Sequence, residues 1–443
     1  MNKSNFFAAA VYLLVFALPL GIRKFIGLAA PVGGEYATVF FYGMDLLIVL
    51  ILVLALANGL VKIRGAAVSV TGIFLGFFGL LAFLSVFFAN FQALAIYQFI
   101  RLALAALAAG SVAAGLRAGL VSGNRLLAVL GVSAVLQSLV GIAQFFRQAG
   151  IGLRLLGESV IGPQLPGVAK IIVENAKLVR AYGTFPHPNL LAAFLLVGLG
   201  ALFYFWLRRP SLWRWFGTWK SLLSDVLIGV GIFILALGLL LSFSRAGWLI
   251  AVVLTLSAAI YALAIPALRN QGVRFTILMI ILAAMLFISF KPYVLARGQF
   301  HIQEPSVQYR FNYLSLGFYL LTHQPFGIGM GNQVPFAVTN ELYQKFNLAF
   351  PWQWQPVHNL YLLVGGELGV IGLMVFLVLL GALIIKGFGS GSFQSFAAIL
   401  IFCSLLLFGL FDHFLWTLEA GRLMFWLTAG ILIGVSSDRA DAR

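Results

Sequence analysis

The sequence predicts an all-α integral membrane protein with about twelve transmembrane helices. Of its 443 residues, 62% are apolar and only 9% are charged, and the mean hydropathy is +1.05. A soluble protein needs roughly a quarter of its residues charged to cover its surface. Because this chain falls far below that fraction, the composition excludes soluble, disordered and coiled-coil classes. The single cysteine, Cys403, cannot form an intrachain disulfide.

The apolar residues are gathered into runs close to the length that crosses a bilayer, about 20 residues. Twelve runs are present, although the ninth and twelfth are short and a count of eleven stays open. They lie near 5–22, 38–61, 66–89, 93–116, 126–146, 189–207, 226–243, 247–265, 275–290, 360–385, 394–411 and 422–435. The first run lacks a small-residue cleavage site, so we expect a first span rather than a removed signal peptide. The chain is therefore expected to be one polytopic membrane domain, 1–443.

The distribution of Lys and Arg predicts the orientation. With the N-terminus inside, the inner segments carry fourteen basic residues and the short outer segments carry four. The positive-inside rule therefore favours an N-in, C-in topology. Most of the basic residues behind the net charge of +16 lie between the apolar runs, where they set the orientation and contact anionic lipid headgroups. We expect the lipid bilayer as a partner and no nucleic acid.

Two of the expected outer segments are long, about 147–188 and 291–358, and they hold nine further Lys and Arg. Long loops are exempt from the orientation rule, so these basic residues are available for function. The five histidines, at positions 187, 301, 323, 358 and 413, all fall on the outer side or at its membrane edge. We therefore expect the chemistry on the face away from the cytoplasm.

Two outer motifs lead into apolar runs and combine arginine with a helix start. In Arg180-Ala-Tyr-Gly-Thr-Phe-Pro-His-Pro-Asn189, Pro188 suits a first helical turn, and the simpler interpretation makes Asn189 its cap. In Ser242-Phe-Ser-Arg-Ala-Gly247, Ser244 can cap the next helix and leaves Arg245 in its first turn. Arginine is unfavourable there, because the helix dipole already places positive charge at that end. Its presence indicates either an anion nearby or a purely structural role.

Two further motifs belong to the second long segment. Residues 307–321 are predicted to form an amphipathic helix, on which Arg310 either serves a substrate or snorkels to headgroups. In Pro356-Val-His358-Asn359, Asn359 is expected to cap the tenth run and to leave His358 at its mouth. A lone histidine is more often a polar cap than a base. Helix N-termini together with arginines nevertheless favour a phosphate-type anion site.

The sequence lacks the motifs of several classes of enzyme and transporter. The sequence has no GxxxxGK[ST] loop, no paired carboxylates on a loop for Mg²⁺ and no zinc motif. We therefore expect neither ATP-driven transport nor a bound metal, and no cofactor. The glycines of Gly327-Ile-Gly-Met-Gly331 are predicted to form tight turns rather than a dinucleotide site.

Charged residues near or within the apolar runs are more often structural. Asp45 and Arg101 are predicted to pair with each other, although intramembrane charges are often functional. Asp412 and His413 are expected to face apart, as neighbours on a helix do. Glu367 lies nine helical positions after His358, about 13 Å away, so we expect that it cannot orient that histidine.

The order of these motifs resembles the O-antigen ligase and polymerase superfamily. The motifs are R-x-x-G-T-F-x-H-P-N (180–189), S-R-A-G (244–247), an arginine opening a helix (310), P-x-G-x-G-x-G-N (325–332), H-N-x-x-L (358–362) and E-x-G (367–369). They span residues 180–370. The resemblance implies a GT-C-like fold in the bacterial inner membrane and an inverting, metal-independent glycosyltransferase with a periplasmic active face. The implied donor is a glycan on undecaprenyl diphosphate, and the implied acceptor is a glycan or a lipid A-core-like molecule.

The resemblance also implies roles for individual residues. By motif, the catalytic residues are His358, Arg245 and Arg310. Arg297 lies close enough to Arg310 in sequence to be an alternative for the family's loop arginine. The resemblance implies five substrate-binding residues, namely Arg180, His187, Asn189, Arg297 and Asn359.

The chemistry agrees with these roles, and alternatives stay open. Diphosphate is a good leaving group whose growing charge needs preorganised donors, and a neutral histidine suits the base. Ligase, polymerase and glycan-to-protein transferase are not separated by the sequence. A non-enzymatic transporter or flippase of the same lipid-linked glycan would need a polar path across the membrane. The inner halves of the runs offer little charge for one beyond Asp45 and Arg101.

Overall fold

The computed structural model describes residues 2–60, 69–174, 176–208, 219–299 and 305–436, and helices account for 73% of it. His301 and six of the inner basic residues used for the orientation (62, 64, 209, 214, 439 and 443) lie outside the described ranges. The helices are α1 (Lys3–Ala17), α2 (Gly43–Ala57), α3 (Val70–Leu84), α4 (Gln92–Arg117), α5 (Gly123–Arg147), α6 (Pro188–Leu207), α7 (Trp219–Leu241), α8 (Arg245–Ala264), α9 (Arg269–Ser289), α10 (Lys291–Gly298), α11 (Pro305–His323), α12 (Gln333–Thr339), α13 (Leu342–Lys345), α14 (Leu360–Gly389), α15 (Phe393–Gly409), α16 (Phe414–Thr417) and α17 (Glu419–Val435).

Each of the twelve apolar runs overlaps one helix, namely α1–α9, α14, α15 and α17. Among the described residues, seven helical segments are long and apolar enough to cross a membrane: Val70–Phe88, Gln92–Arg117, Gly123–Arg147, Pro188–Leu207, Arg245–Ala264, Pro266–Ser289 and Leu360–Gly389. Four shorter helices are also apolar: Lys3–Ala17, Gly43–Ala57, Asp225–Leu241 and Phe393–Gly409. The structure is thus that of a mostly helical multi-pass membrane protein.

The fold is not entirely α-helical. Two antiparallel hairpins lie between helices, β1 (Arg23–Leu28) with β2 (Thr38–Tyr42) and β3 (Lys170–Val173) with β4 (Ala176–Val179). The second apolar run, expected to be helical from residue 38, therefore begins as a strand. Its first five residues, Thr-Val-Phe-Phe-Tyr, are β-branched or aromatic and favour the extended conformation. Helix α2 begins only at Gly43, where the Tyr42 backbone N–H donates to the Asp45 carboxylate at 2.9 Å.

Helix α6 is the central helix of the bundle. Seventeen of its twenty residues are buried, and it packs against α5, α7, α8, α9 and α15. Small residues permit this close packing: a Cβ added at Gly200 would lie 2.5 Å from Ile401. Because α6 is enclosed on all sides, the motif that opens it is fixed relative to the rest of the protein.

The predicted pair of Asp45 and Arg101 is confirmed and joins a larger buried network. The Arg101 guanidinium forms ion pairs with Asp45 and with Glu419, and its Nε donates to Glu419 at 3.0 Å. The three residues come from α2, α4 and α17. Since a buried charge is costly without its partners, this network joins the three helices.

The glycine-rich segment forms the tight turns predicted for it. Gly327, Gly329 and Gly331 have φ of +81°, +91° and +74°, a region that residues with a Cβ rarely adopt. The Glu367 carboxylate accepts the Gly331 N–H at 2.8 Å and the Trp416 indole N–H at 2.7 Å. Glu367 therefore holds the turn rather than orienting a histidine, in line with the distance argument.

Candidate active site

The motif at the start of α6 is held in place by three polar side chains that are joined by hydrogen bonds. The Asn189 amide oxygen accepts from an Arg180 terminal nitrogen at 3.0 Å, and its nitrogen donates to the Asp412 carboxylate at 2.8 Å. All three side chains are buried. The prediction that Asn189 caps α6 is wrong, because His187 takes that role and its Nδ1 accepts from the Asn189 backbone N–H at 3.2 Å. Pro188 is the first residue of the helix, as predicted.

Asp412 and His413 belong to the same group, contrary to the sequence-based expectation. That expectation assumed a helix, but α15 ends at Gly409, and the turn that follows brings the two side chains to 4.0 Å. The His413 ring lies edge-on to His358, with ring centroids 4.9 Å apart, and to Tyr36 at 5.8 Å. Two polar residues that sequence reasoning set aside therefore line the candidate site.

His358 stands at the mouth of α14 in a defined tautomer. Its Nδ1 lies 2.9 Å from the Pro356 carbonyl oxygen. Because a carbonyl only accepts, Nδ1 must carry the proton, and Nε2 is the basic atom of the neutral ring. The ring stacks on Tyr313 with centroids 4.5 Å apart and planes 17° apart. Asn359 caps α14 as predicted, since its side chain accepts the Leu362 N–H at 3.0 Å.

The three histidines near Asp412 are electrically neutral near pH 7. Burial lowers the pKa of His187 to about 4 and that of His413 to about 3. Burial also lowers the pKa of His358, where the positive charge of Arg310 adds to the effect, while the Asp412 carboxylate and the bond to Pro356 oppose it. A neutral imidazole is the form that can accept a proton.

Asp412 keeps its charge in this group. Burial alone would raise the pKa of its carboxyl group, but the positive charge of the neighbouring histidines, which are protonated at the low pH where Asp412 titrates, and the hydrogen bond from Asn189 outweigh burial and lower that pKa to about 2. The backbone N–H of His413 also donates to it at 2.8 Å. The carboxylate is thus a fixed negative charge beside three neutral imidazoles.

Arg180 is a buried cation with other cations close by. Its Nε donates to the Ser242 carbonyl oxygen at 2.6 Å. Burial lowers its pKa, and the positive charges of Arg297 and Arg310 lower it further. The guanidinium stays protonated at neutral pH even so. A desolvated cation among like charges is stabilised when an anion enters.

Arg245 and Arg297 form a second pair next to this group. The Arg245 side chain donates to the carbonyl oxygens of Arg297 at 2.8 Å and Gln299 at 3.0 Å, and Arg297 Nε donates to Phe243 O at 3.1 Å. The carbonyls at the end of α10 carry the negative end of its helix dipole. They supply a structural reason for an arginine in the first turn of α8, whose cap is Ser244 as predicted.

The structure thus gathers most of the predicted site residues. Asn189 donates to the Asp412 carboxylate, and Arg180, His187 and His358 interact with it electrostatically. The positive charge of Arg310 lowers the pKa of both His187 and His358. Arg245 and Arg297 form the adjoining pair. Asn359 caps α14, and its Nδ2 donates to the Leu410 carbonyl oxygen at 3.2 Å. No group of three or more His, Cys, Asp and Glu within the described ranges is arranged to hold a metal ion.

Comparison with known families bears on the second half of the chain. Residues 230–377 match the family model of O-antigen ligase. That stretch contains Arg245, Arg297, Arg310 and His358, whereas Asp412 lies outside it. No curated protein matches the chain. The matched domain supports the O-antigen ligase superfamily and indicates an O-antigen ligase- or polymerase-like glycosyltransferase.

Proposed function

We propose that the protein transfers a glycan from undecaprenyl diphosphate to an acceptor hydroxyl, with inversion and without a metal ion. The observation that carries the proposal concerns His358, a neutral histidine whose Nε2 is the basic atom. The charges of Arg310 and of the Asp412 carboxylate both act on its pKa. A base and an anion site in one place are what a lipid-diphosphate glycosyltransferase needs.

The donor diphosphate is proposed to bind at the arginines. Arg180 is already desolvated, and the charges of Arg297 and Arg310 act on it. The Asp412 carboxylate is a negative charge that acts on Arg180 in the opposite direction, and the Asn189 side chain donates a hydrogen bond to it. An entering diphosphate would relieve the repulsion between the arginines, and its bonds would strengthen as the leaving group gains charge.

Arg245 contributes to the donor site together with its neighbour. The Arg245 guanidinium donates to two backbone carbonyl oxygens at the end of α10, and these hydrogen bonds keep Arg297 next to Arg180. We propose that Arg245 and Arg310 are the catalytic arginines and that Arg180, Arg297, His187 and Asn189 position the donor.

The transfer step uses His358 as the base. The acceptor oxygen attacks the anomeric carbon of the donor glycan, and the bond from that carbon to the diphosphate oxygen breaks on the opposite face. The acceptor proton passes to Nε2 of His358, and the electron pair leaves with undecaprenyl diphosphate. Pro356 accepts from Nδ1 in both protonation states, which keeps the ring in place.

The location belongs to the same proposal. The chain lies in the bacterial inner membrane with both termini inside, and the site faces the periplasm, where a lipid-linked donor meets its acceptor. The acceptor is a glycan or a lipid A-core-like molecule.

A reconstituted assay tests the proposal. Purified protein is incubated with undecaprenyl-diphosphate glycan and a lipid A-core acceptor, with and without EDTA, and product glycan and released lipid diphosphate are measured. We expect transfer in EDTA and a severe loss in Arg245→Ala. Full activity in Arg245→Ala, or activity that EDTA abolishes and Mg²⁺ restores, contradicts the proposal. Movement of the donor across the bilayer without transfer would favour a transporter.

A further inference from the structure

A chain of hydrogen bonds leads away from the imidazole ring of His358. The ring donates from Nδ1 to the Pro356 carbonyl oxygen at 2.9 Å, and that carbonyl belongs to the same planar peptide group as the Val357 N–H. The Val357 N–H donates to the side-chain oxygen of Gln333 at 3.1 Å. Gln333 therefore binds the other end of the peptide group that holds the proposed base.

The chain continues from Gln333 to a buried tyrosine. Gln333 Nε2 donates to the Tyr343 hydroxyl at 3.4 Å, and this hydroxyl donates to the Gln355 carbonyl oxygen at 2.7 Å. Gln333 is 1% exposed and Tyr343 is 0% exposed. Because both residues are buried, bulk water does not compete for these bonds, and the low local polarity strengthens them.

The direction of every bond in the chain is fixed by its chemistry. A backbone N–H only donates, and a carbonyl oxygen only accepts. The Val357 N–H therefore requires the oxygen of the Gln333 amide, which leaves the amide nitrogen for Tyr343, and the Gln355 carbonyl requires the Tyr343 proton. The bonds thus all run in one direction, from His358 toward Gln355.

Hydrogen bonds aligned in this way polarise one another. An amide that donates through its N–H carries more negative charge on its oxygen and accepts more strongly. Gln333 thus makes the Pro356 carbonyl a better acceptor for the Nδ1–H of His358. A stronger bond at Nδ1 stabilises the imidazolium form and makes Nε2 more basic.

The backbone of Gln333 is also held in place. The Glu367 carboxylate accepts the Gln333 N–H at 3.4 Å and the Gly331 N–H at 2.8 Å. Gly331 has a φ of +74°, and a Cβ there would lie 2.4 Å from the Gln98 side chain. The glycine-rich turn therefore fixes the position at which the Gln333 side chain starts.

We propose that Gln333 is a positioning residue for the transfer reaction, which holds the His358 ring in the tautomer and orientation of a base through the peptide group of Pro356 and Val357. The role resembles that of the carboxylate in a Ser-His-Asp triad, but it is taken by a neutral amide, which Tyr343 holds in turn. The inference rests on the proposed function, in which His358 is the base.

Other groups also act on the His358 ring. Five titratable or charged side chains face it from neighbouring elements, namely Arg310 and Tyr313 on α11, Asp412 and His413 after α15, and His187 before α6. The hydrogen bond to Pro356 raises the pKa of His358 against the effect of burial. Substitutions at Gln333 and Tyr343 leave the five side chains in place, so a change in that pKa reports on the chain of hydrogen bonds.

The pKa of His358 can be measured without an assay of transfer. Diethyl pyrocarbonate modifies neutral imidazole, so the rate of modification of His358 in the purified full-length protein, followed by mass spectrometry as a function of pH, gives the midpoint. This midpoint should fall by about half a pH unit in Gln333→Leu, because the bond at Nδ1 loses its polarised acceptor. Gln333→Glu keeps an oxygen toward Val357 and should restore the midpoint or exceed it. The exposed His323 is the internal reference.

Two tyrosine variants provide a second measurement and its control. Tyr343→Phe shortens the chain at its longest bond, so it should lower the midpoint by a smaller amount, and its result decides if Gln333→Leu does not fold. Tyr361→Phe also removes a hydroxyl that donates to a backbone carbonyl oxygen at 2.7 Å, that of Leu406. Tyr361 lies outside the chain, so its variant should keep the wild-type midpoint.

Turnover separates positioning from donor binding. In the reconstituted assay, Gln333→Leu should lower kcat at least about tenfold, because the base is misplaced, and leave the KM for undecaprenyl-diphosphate glycan unchanged. A wild-type midpoint or a wild-type kcat in Gln333→Leu overturns the inference, and so does a Gln333→Glu midpoint as low as that of Gln333→Leu. If the midpoints move as expected but the wild-type protein transfers no glycan, the chain of hydrogen bonds stands and the proposed function fails.

Discussion

Replacing Asp412 by asparagine removes the one negative charge at the centre of the histidine group and keeps its shape. The carboxylate accepts two hydrogen bonds at 2.8 Å, from the Asn189 side chain and from the His413 backbone. An amide at position 412 retains one oxygen, so one of the two bonds is lost. A hydrogen bond to a charged group is worth about 1.5–3 kcal/mol. We therefore expect Asp412→Asn to destabilise the protein by about 2 kcal/mol, seen as a lower melting temperature in detergent.

The same substitution should shift the pH dependence of transfer. The Asp412 charge raises the pKa of His358 against the effect of burial, so its removal lowers that pKa. A base acts in its neutral form, and the rate rises as pH increases through its pKa. The acidic limb of the pH–rate profile should thus move to lower pH in Asp412→Asn. The exposed Glu341→Gln variant is the control. A limb that stays in place or moves to higher pH would refute the electrostatic role of Asp412.

Three further predictions concern the site and its support. Arg245→Lys keeps the charge but cannot hold both carbonyls at the end of α10, so turnover in the reconstituted assay should fall at least about tenfold, equivalent to one hydrogen bond; wild-type turnover would argue against the role of the fork. Gly329→Ala would place a Cβ 2.3 Å from the Ala89 Cβ at a φ of +91°, so it should lower folded yield or melting temperature, whereas Gly381→Ala, in open space, should not. His187 and His413 have pKa values lowered to about 4 and about 3, so the unfolded chain binds more protons below their usual pKa of about 6.5. Thermal stability should therefore be fully present above pH 6.5 and fall as pH is lowered toward 4, and a stability that rises over that window would contradict the burial of these rings.

Local features of the fold were predictable because their causes are local. The apolar runs predicted where the long helices lie, and Ser244, Asn359 and Pro188 occupy the capping and first-turn positions expected of them. The pair of Asp45 and Arg101 followed from the cost of an isolated charge in an apolar environment.

Features that depend on distant contacts were not predictable in this way. Asn189 resembles a cap in sequence, but its amide is engaged by Asp412, 223 positions away. The Asp412–His413 pair was misjudged because hydropathy does not reveal that α15 ends at Gly409. Strand β2 was included in an apolar run because the same residues suit a strand and a membrane helix, and only its pairing with β1 decides between them.

The most direct test of the proposed mechanism is the turnover of His358→Gln. Glutamine preserves hydrogen bonding but cannot accept the acceptor proton at neutral pH. General-base catalysis contributes about 10²–10⁴-fold to a rate, so turnover should fall by that factor while the affinity for undecaprenyl-diphosphate glycan is unchanged. His323→Gln, at an exposed histidine on α11, should retain full activity. Near-normal turnover in His358→Gln with unchanged donor affinity would contradict the base role and leave His358 as a residue that only positions substrate.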